Sequence, residues 1–168
     1  MRKTIAIVAG VLLLAVVNWG IYSRERLLAS GRVVLLELAP VDPRSLMQGD
    51  YMALRFKATN DAFGRARGRS EESADGRLVV AVDERGVGSY ARLDDGGALA
   101  DNEARIRYRI RNGQPKLATN AYFFAEGRGS AYAKARYGEF RVAPDGEAIL
   151  TRLRDDALLP LGGDSVGR

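Results

Sequence analysis

The chain has no cysteine and no histidine among its 168 residues. Without cysteine there is no disulfide framework, no thiolate nucleophile and no sulfur-held metal, and such a chain suits an oxidising compartment. Without histidine the usual general base and the commonest metal ligand are missing together, which excludes Ser-His-Asp and Cys-His sites and the zinc motifs built on imidazole. A phosphate-binding loop is missing too. Gly86-Val87-Gly88 and Gly127-Arg128-Gly129 lack both the strand-to-helix setting and the following Gly or Lys that such loops need. No cofactor and no metal site is expected. What remains is 46% hydrophobic and 28% charged, ordinary for one folded domain with an appendage.

The appendage lies at the start. Residues 4–22 carry no charge and are mostly Val, Leu, Ile and Ala; as a helix they would extend about 28 Å, close to the thickness of a hydrocarbon core. Trp19 and Tyr22 stand at the far end, where amphipathic rings favour the headgroup layer, and Arg24 and Arg26 stop the apolar run. A cleaved signal peptide is the competing reading. Asn18-Trp19-Gly20-Ile21-Tyr22 is too bulky for a small-x-small cleavage site, and Leu27-Leu28-Ala29-Ser30-Gly31 lacks the cysteine of a lipoprotein signal. An uncleaved anchor is therefore expected. Arg2 and Lys3 nearly balance Arg24, Arg26 and Arg32 across the span, so orientation rests on the short N-terminus and large C-terminal part, which favour N-in, C-out.

Beyond the anchor the pattern reads as β-structure. Residues 32–38 (RVVLLEL) form a strand leaving the membrane, and Pro40 and Pro43 keep the next stretch extended. Gly49-Asp50 supplies a turn into a strand along which Met52, Leu54 and Phe56 alternate with Tyr51, Ala53 and Arg55. Residues 59–76 turn polar and read as a long exposed loop. Strands follow at 77–82 and 87–93, joined by Asp83-Glu84-Arg85-Gly86. The cleanest alternation comes next, with Ala104, Ile106, Tyr108 and Ile110 on one side and Arg105, Arg107, Arg109 and Arg111 on the other. Asn112-Gly113 marks a turn and Ala121-Tyr122-Phe123-Phe124 a further strand. Residues 129–137 are the helical candidate, with Ser130 as a cap. Residues 139–143 and 147–153 flank the turn Pro144-Asp145-Gly146. The expected fold is mainly β: an N-terminal transmembrane helix, then one antiparallel β-sandwich or barrel-like domain with one short helix. The expected division is a cytoplasmic stub and anchor at 1–26, an extracytoplasmic domain at 30–156, and a frayed tail at 157–168.

The run Gly49-Asp50-Tyr51-Met52-Ala53-Leu54-Arg55-Phe56 resembles the signature of the GDYXXLXY-motif family, with Phe56 where the family has Tyr. Further shared blocks lie at 40–56, Tyr122-Phe123-Phe124-Ala125-Glu126-Gly127, Ala135-Arg136-Tyr137-Gly138-Glu139 and 146–153. The resemblance implies an extracytoplasmic β-domain on a single N-terminal span, in the inner membrane of a bacterium with the domain in the periplasm, often encoded beside a multi-span membrane protein. It implies no catalytic residue, cofactor or substrate. The motif positions Gly49, Asp50, Tyr51, Leu54 and Phe56 read as a folding element, the glycine permitting a turn, the aspartate capping it and the apolar positions packing inward. A sharper reading makes Arg44, Asp50 and Tyr51 a recognition edge for a peptide or membrane partner.

Rival functions are weaker. An anchored β-domain with a serine before a Gly-Asp turn resembles serine-lysine signal peptidases, but Lys57, Lys116 and Lys134 are the only lysines beyond the N-terminus and no motif sets one against Ser45. Ser45 then reads as a loop residue and Lys57 as an exposed strand end. The carboxylate pairs Glu71-Glu72, Asp94-Asp95 and Asp155-Asp156 lie in loop-like segments and read as solvated charge rather than an acid/base or calcium site. The net charge of +5 is mostly arginine. Tyr108 alternates away from the arginines, so the stacking platform of a nucleic-acid binder is not formed and no nucleic-acid partner is expected. The arginine face should stay solvated, pair with acidic loops or lie against anionic headgroups. The sequence reading is thus a single-pass, non-catalytic accessory or interaction protein, in contact with the bilayer through 4–22 and with a multi-span membrane protein as candidate partner. The alternative is a membrane-anchored Ser-Lys hydrolase.

Overall fold

The structure, a computed structural model, describes residues 2–39, 47–48, 51–64 and 74–162. Helix α1 runs Arg2–Ser30, longer at its C-terminal end than the apolar run predicts. Ser23 to Ala29 contain no helix breaker, so the backbone continues until Gly31, whose N–H closes on Leu27 O at 2.8 Å. Over Lys3–Ser30 this is one helix long and apolar enough to cross a membrane, and none of its apolar window is buried. It is hydrophobic all round, the pattern of a span rather than of a surface helix.

The remainder is mainly β and barrel-like. Ten strands are described: β1 Arg32–Glu37, β2 Met47–Gln48, β3 Tyr51–Ala53, β4 Ala74–Val82, β5 Val87–Leu93, β6 Glu103–Arg111, β7 Gln114–Leu117, β8 Ala121–Phe123, β9 Tyr137–Val142 and β10 Ala148–Arg154. Seven form one sheet in the order β10-β9-β1-β5-β4-β6-β7, and β2-β3-β8 form a smaller one. All main-sheet pairs are antiparallel except β1 with β5. The large sheet curls until the β9–β10 turn meets β6, where Arg107 N–H donates to Gly146 O at 2.8 Å. Gly146 has φ +91°, a conformation its lack of a side chain makes inexpensive. The small sheet joins through the Leu38–Phe56 bridge and the Ala39 N–H to Arg55 O bond.

Inside lie Val34, Leu36, Phe56, Leu78, Val80, Ile106, Leu117, Phe140 and Leu153, all essentially inaccessible. Phe56 meets Phe140 edge to face, centroids 5.2 Å apart. Gly138 leaves room for that pair, since a Cβ there would come within 3.1 Å of both rings.

Several segments differ from expectation. Lys57–Phe63 is a short helix, α2, where a loop beginning at Thr59 was expected. Its polar composition hides two buried residues, Ala58 and Thr59, and the Thr59 hydroxyl donates to Phe56 O at 2.6 Å. Phe63 packs against Tyr108, centroids 4.8 Å apart. The helix expected over 129–137 shrinks to a 3-10 turn at Gly129–Tyr132, because Tyr137 onward pairs with β1 and β10. Strand β7 was not foreseen, its Pro115 being tolerated on the sheet's edge. Within the tail expected to fray over 157–168, the described residues fold back after a turn at Asp155: Leu158 N–H donates to Asp155 O, and Leu161 N–H returns to Leu153 O at 2.9 Å.

Phe56→Ala should lower unfolding stability by about 3–5 kcal/mol in urea titrations of the detergent-solubilised protein, whereas Phe56→Tyr should stay within about 1.5 kcal/mol. Gly138→Ala should cost about 1–3 kcal/mol by the same measurement, through overpacking against Phe56 and Phe140.

Candidate functional site

The signature strand divides its side chains by parity. Met52, Leu54 and Phe56 are buried, while Tyr51 and Ala53 are half-buried and Arg55 is exposed. The family positions Leu54 and Phe56 are therefore core. Tyr51 lies opposite Phe123 in the β3–β8 register, ring centroids 5.9 Å apart. Phe123 is 74% exposed, which places an uncovered aromatic ring directly beside the motif tyrosine. Its neighbours Tyr122 and Phe124 turn the other way and enclose Tyr132, each with centroids 5.2 Å from it. Sequence reading grouped Tyr122-Phe123-Phe124 as one strand without separating its faces, and strict period two would have singled out Phe123. Arg44, Ser45, Gly49 and Asp50 lie outside the described residues, so Tyr51 is the one member of the expected recognition edge that the structure places.

Lys57 opens α2 rather than ending a strand, and its Nζ lies 3.1 Å from Glu37 Oε2. The Glu37 carboxylate, by hydrogen bond and by charge, raises the Lys57 pKa. A Ser-Lys base needs the opposite shift. Lys116 and Lys134 are exposed.

The arginine stripe on β6 is largely engaged by acidic side chains, two from loops and one from β4. Arg105 Nε lies 3.0 Å from Asp94 Oδ2, Arg107 reaches Asp145 at 2.7 Å and Arg111 reaches Asp75 at 2.7 Å. Asp94 corrects the expectation of solvated loop charge: its side chain is 3% exposed and Arg77 also approaches it, at 3.9 Å. Asp95 is exposed and accepts Gly97 N–H, while Asp155 accepts Leu159 N–H at 2.8 Å. Glu71 and Glu72 lie outside the described residues. Beside this cluster Arg92 pairs with Glu103, whose second oxygen accepts Ala100 N–H at 3.1 Å. On β9, buried Glu139 accepts from Thr151 Oγ1 and Arg154 Nε and lies 3.4 Å from Arg152. Among the described residues no group of three or more acidic side chains could hold a metal.

These contacts set the titration behaviour. The Arg92 guanidinium, then the Ala100 N–H, hold the Glu103 carboxyl below its ordinary range. Arg111 does the same to Asp75, and backbone N–H donors do so to Asp83 and Asp95, Val87 leading for the first and Gly97 for the second.

A helix able to span a bilayer, running through one glycine into a barrel-like mixed sheet, defines a membrane-anchor candidate joined to a β-domain. The family model described as "GDYXXLXY protein" matches residues 13–153, most of the chain, and the chain belongs to that family. No curated protein and no solved structure matches it.

Lowered carboxyl pKa values stabilise the fold above the unfolded-state pKa and lose that contribution as pH falls through the folded-state value. The thermal midpoint should therefore decline as pH drops from about 5 to about 3, and Glu103→Gln should make that decline shallower in a calorimetric pH series.

Proposed function

We propose that this chain is a single-pass accessory protein of the bacterial inner membrane, whose periplasmic β-domain recognises an extracytoplasmic segment of a multi-span membrane protein and performs no chemistry itself. The observation that carries this reading is the aromatic pair formed by Tyr51 on the family's signature strand and Phe123 opposite it on β8, the second ring being 74% exposed. Exposed aromatic anchors on a preformed sheet are what recognition surfaces use, because a rigid ring contributes large contact area while losing little entropy. A helix long and apolar enough to span a bilayer supports this reading, since an anchored domain would meet other membrane proteins first. The absence of cysteine and histidine and the elevated pKa of Lys57 favour an interaction role over the hydrolase alternative.

A photo-crosslinking amino acid placed at position 123 in native membranes should give a discrete adduct with one membrane protein, and the same probe at exposed Arg85 should not. Absence of an adduct from position 123, or equal adducts from both positions, would overturn the assignment.

A further inference from the structure

While β6 offers arginines to acidic side chains, a second set of guanidinium groups has no carboxylate within ion-pair distance among the described residues. Arg26, Arg32 and Arg141 gather where α1 ends. Arg32 Nη1 donates to the Glu103 carbonyl at 2.7 Å and Arg141 Nη1 to the Gly31 carbonyl at 3.1 Å, while the Arg26 side chain is exposed and makes no hydrogen bond among the described residues. Glu103 also lies here, but Arg92 engages its carboxylate.

Between this end of α1 and the domain opens a groove of about 600 Å³. Arg26 and Leu27 line it from the helix and Arg32 from the start of β1. Leu99, Ala104 and Val142 provide an apolar wall, the last two continuous with the domain's core. One side is thus cationic and the other is hydrocarbon. The depth is also informative. Arg26 stands one helical turn, about 6 Å, beyond Tyr22 at the end of the apolar run, the level at which phosphates sit above a core about 30 Å thick.

We propose that this groove seats an anionic phospholipid of the surrounding leaflet, its phosphate held by Arg26 and Arg32 and the upper part of one acyl chain laid over Leu27, Leu99 and Val142. Charge complementarity selects this occupant over a second apolar helix, which would leave two cations facing hydrocarbon. The site rests on the anchor reading given above but not on the partner surface at Phe123, since the two are built from different strands.

The full chain would be reconstituted in bilayers of phosphatidylcholine with and without phosphatidylglycerol, extracted in mild detergent, and its retained lipid read by native mass spectrometry. Wild type should keep phosphatidylglycerol in preference to phosphatidylcholine. Arg26→Gln combined with Arg32→Gln should retain roughly tenfold less, two surface charges each contributing to headgroup attraction. Leu99→Trp, which fills the groove without changing charge, should also reduce retention. A control removing two exposed charges elsewhere, Arg85→Gln with Arg128→Gln, should remain within about twofold of wild type. Equal retention of both lipids, equal loss in the control, or wild-type retention by the double variant would overturn the proposal. Displacement by millimolar inorganic phosphate would overturn it in favour of a soluble phosphate ligand. Carbonate extraction of the same membranes separates the two readings: release of wild type removes anchor and lipid site together, whereas a firmly held protein without lipid preference removes the lipid site alone.

Discussion

The rest of the fold depends on where β1 lies. The strand that leaves the helix enters the middle of the large sheet, paired along its length with β9 and in parallel with β5. Its partners arrive late in the chain: Arg32 faces Val142, and the Arg141 guanidinium that grips Gly31 O lies 110 residues further on. A central strand with remote partners cannot satisfy its backbone donors and acceptors until nearly the whole domain is present. Such topologies fold slowly, because loop closure must precede the contacts that reward it. The barrel then closes around side chains that β1 supplies, Val34 and Leu36, and around Phe56, which its neighbour Leu38 bridges.

The high arginine content also has a structural meaning. Val79 is fully buried yet is absent from the interior cluster, and its cross-strand partners are Arg92 and Arg105. Those two arginines meet Glu103 and Asp94, so an apolar residue on the outer face lies beneath long aliphatic stems whose charged ends are paired. The loop between β5 and β6 is held in the same network, since Arg105 also donates to Gly97 O at 2.6 Å. Glu139 plays the matching part on the far side of the sheet. There the bulge between Leu150 and Arg152 sets Arg152 opposite Glu139 and Arg154 two positions further on, opposite Tyr137, on the same face.

Much of this was legible in the sequence wherever one physical signal dominated. The helix long and apolar enough to cross a membrane is read from length and apolarity alone, and β6 from strict alternation of apolar and arginine residues. The turns at Asp83–Gly86, Asn112-Gly113 and Pro144–Gly146 carry the residue types that those backbones demand; the first and third join the strands expected of them, and the second leads into β7, which was not expected. Failures came where tertiary context overrode local preference. The segment after Gly129 has good helix formers, but its end is needed as a strand in the sheet. The segment after Phe56 looks polar, but Ala58 and Thr59 are small enough to lie against the core. Strand β7 was concealed by its proline. Asp94 looked like loop charge because nothing in the sequence pairs it with arginines 17 residues before it and 11 after it, at Arg77 and Arg105. The alternation along the signature strand set Tyr51 on the face opposite Met52, where it is half-buried, but did not reveal the ring it faces, because cross-strand register is invisible until strands are paired.

One residue separates helix from sheet. Gly31 is flanked by Leu27, which is buried against the domain, and by the Arg141 side chain, and a methyl group added at Gly31 would collide with Leu27 O at 2.5 Å. The join is therefore a short, filled joint rather than a tether. With the helix set in a bilayer, the domain has no stalk: its height above the surface is its own diameter and its bearing follows the tilt of the helix. Whatever this domain touches must come down to it, and any rotation of the helix about its axis would swing the whole barrel as one body, like a key turned by its shaft.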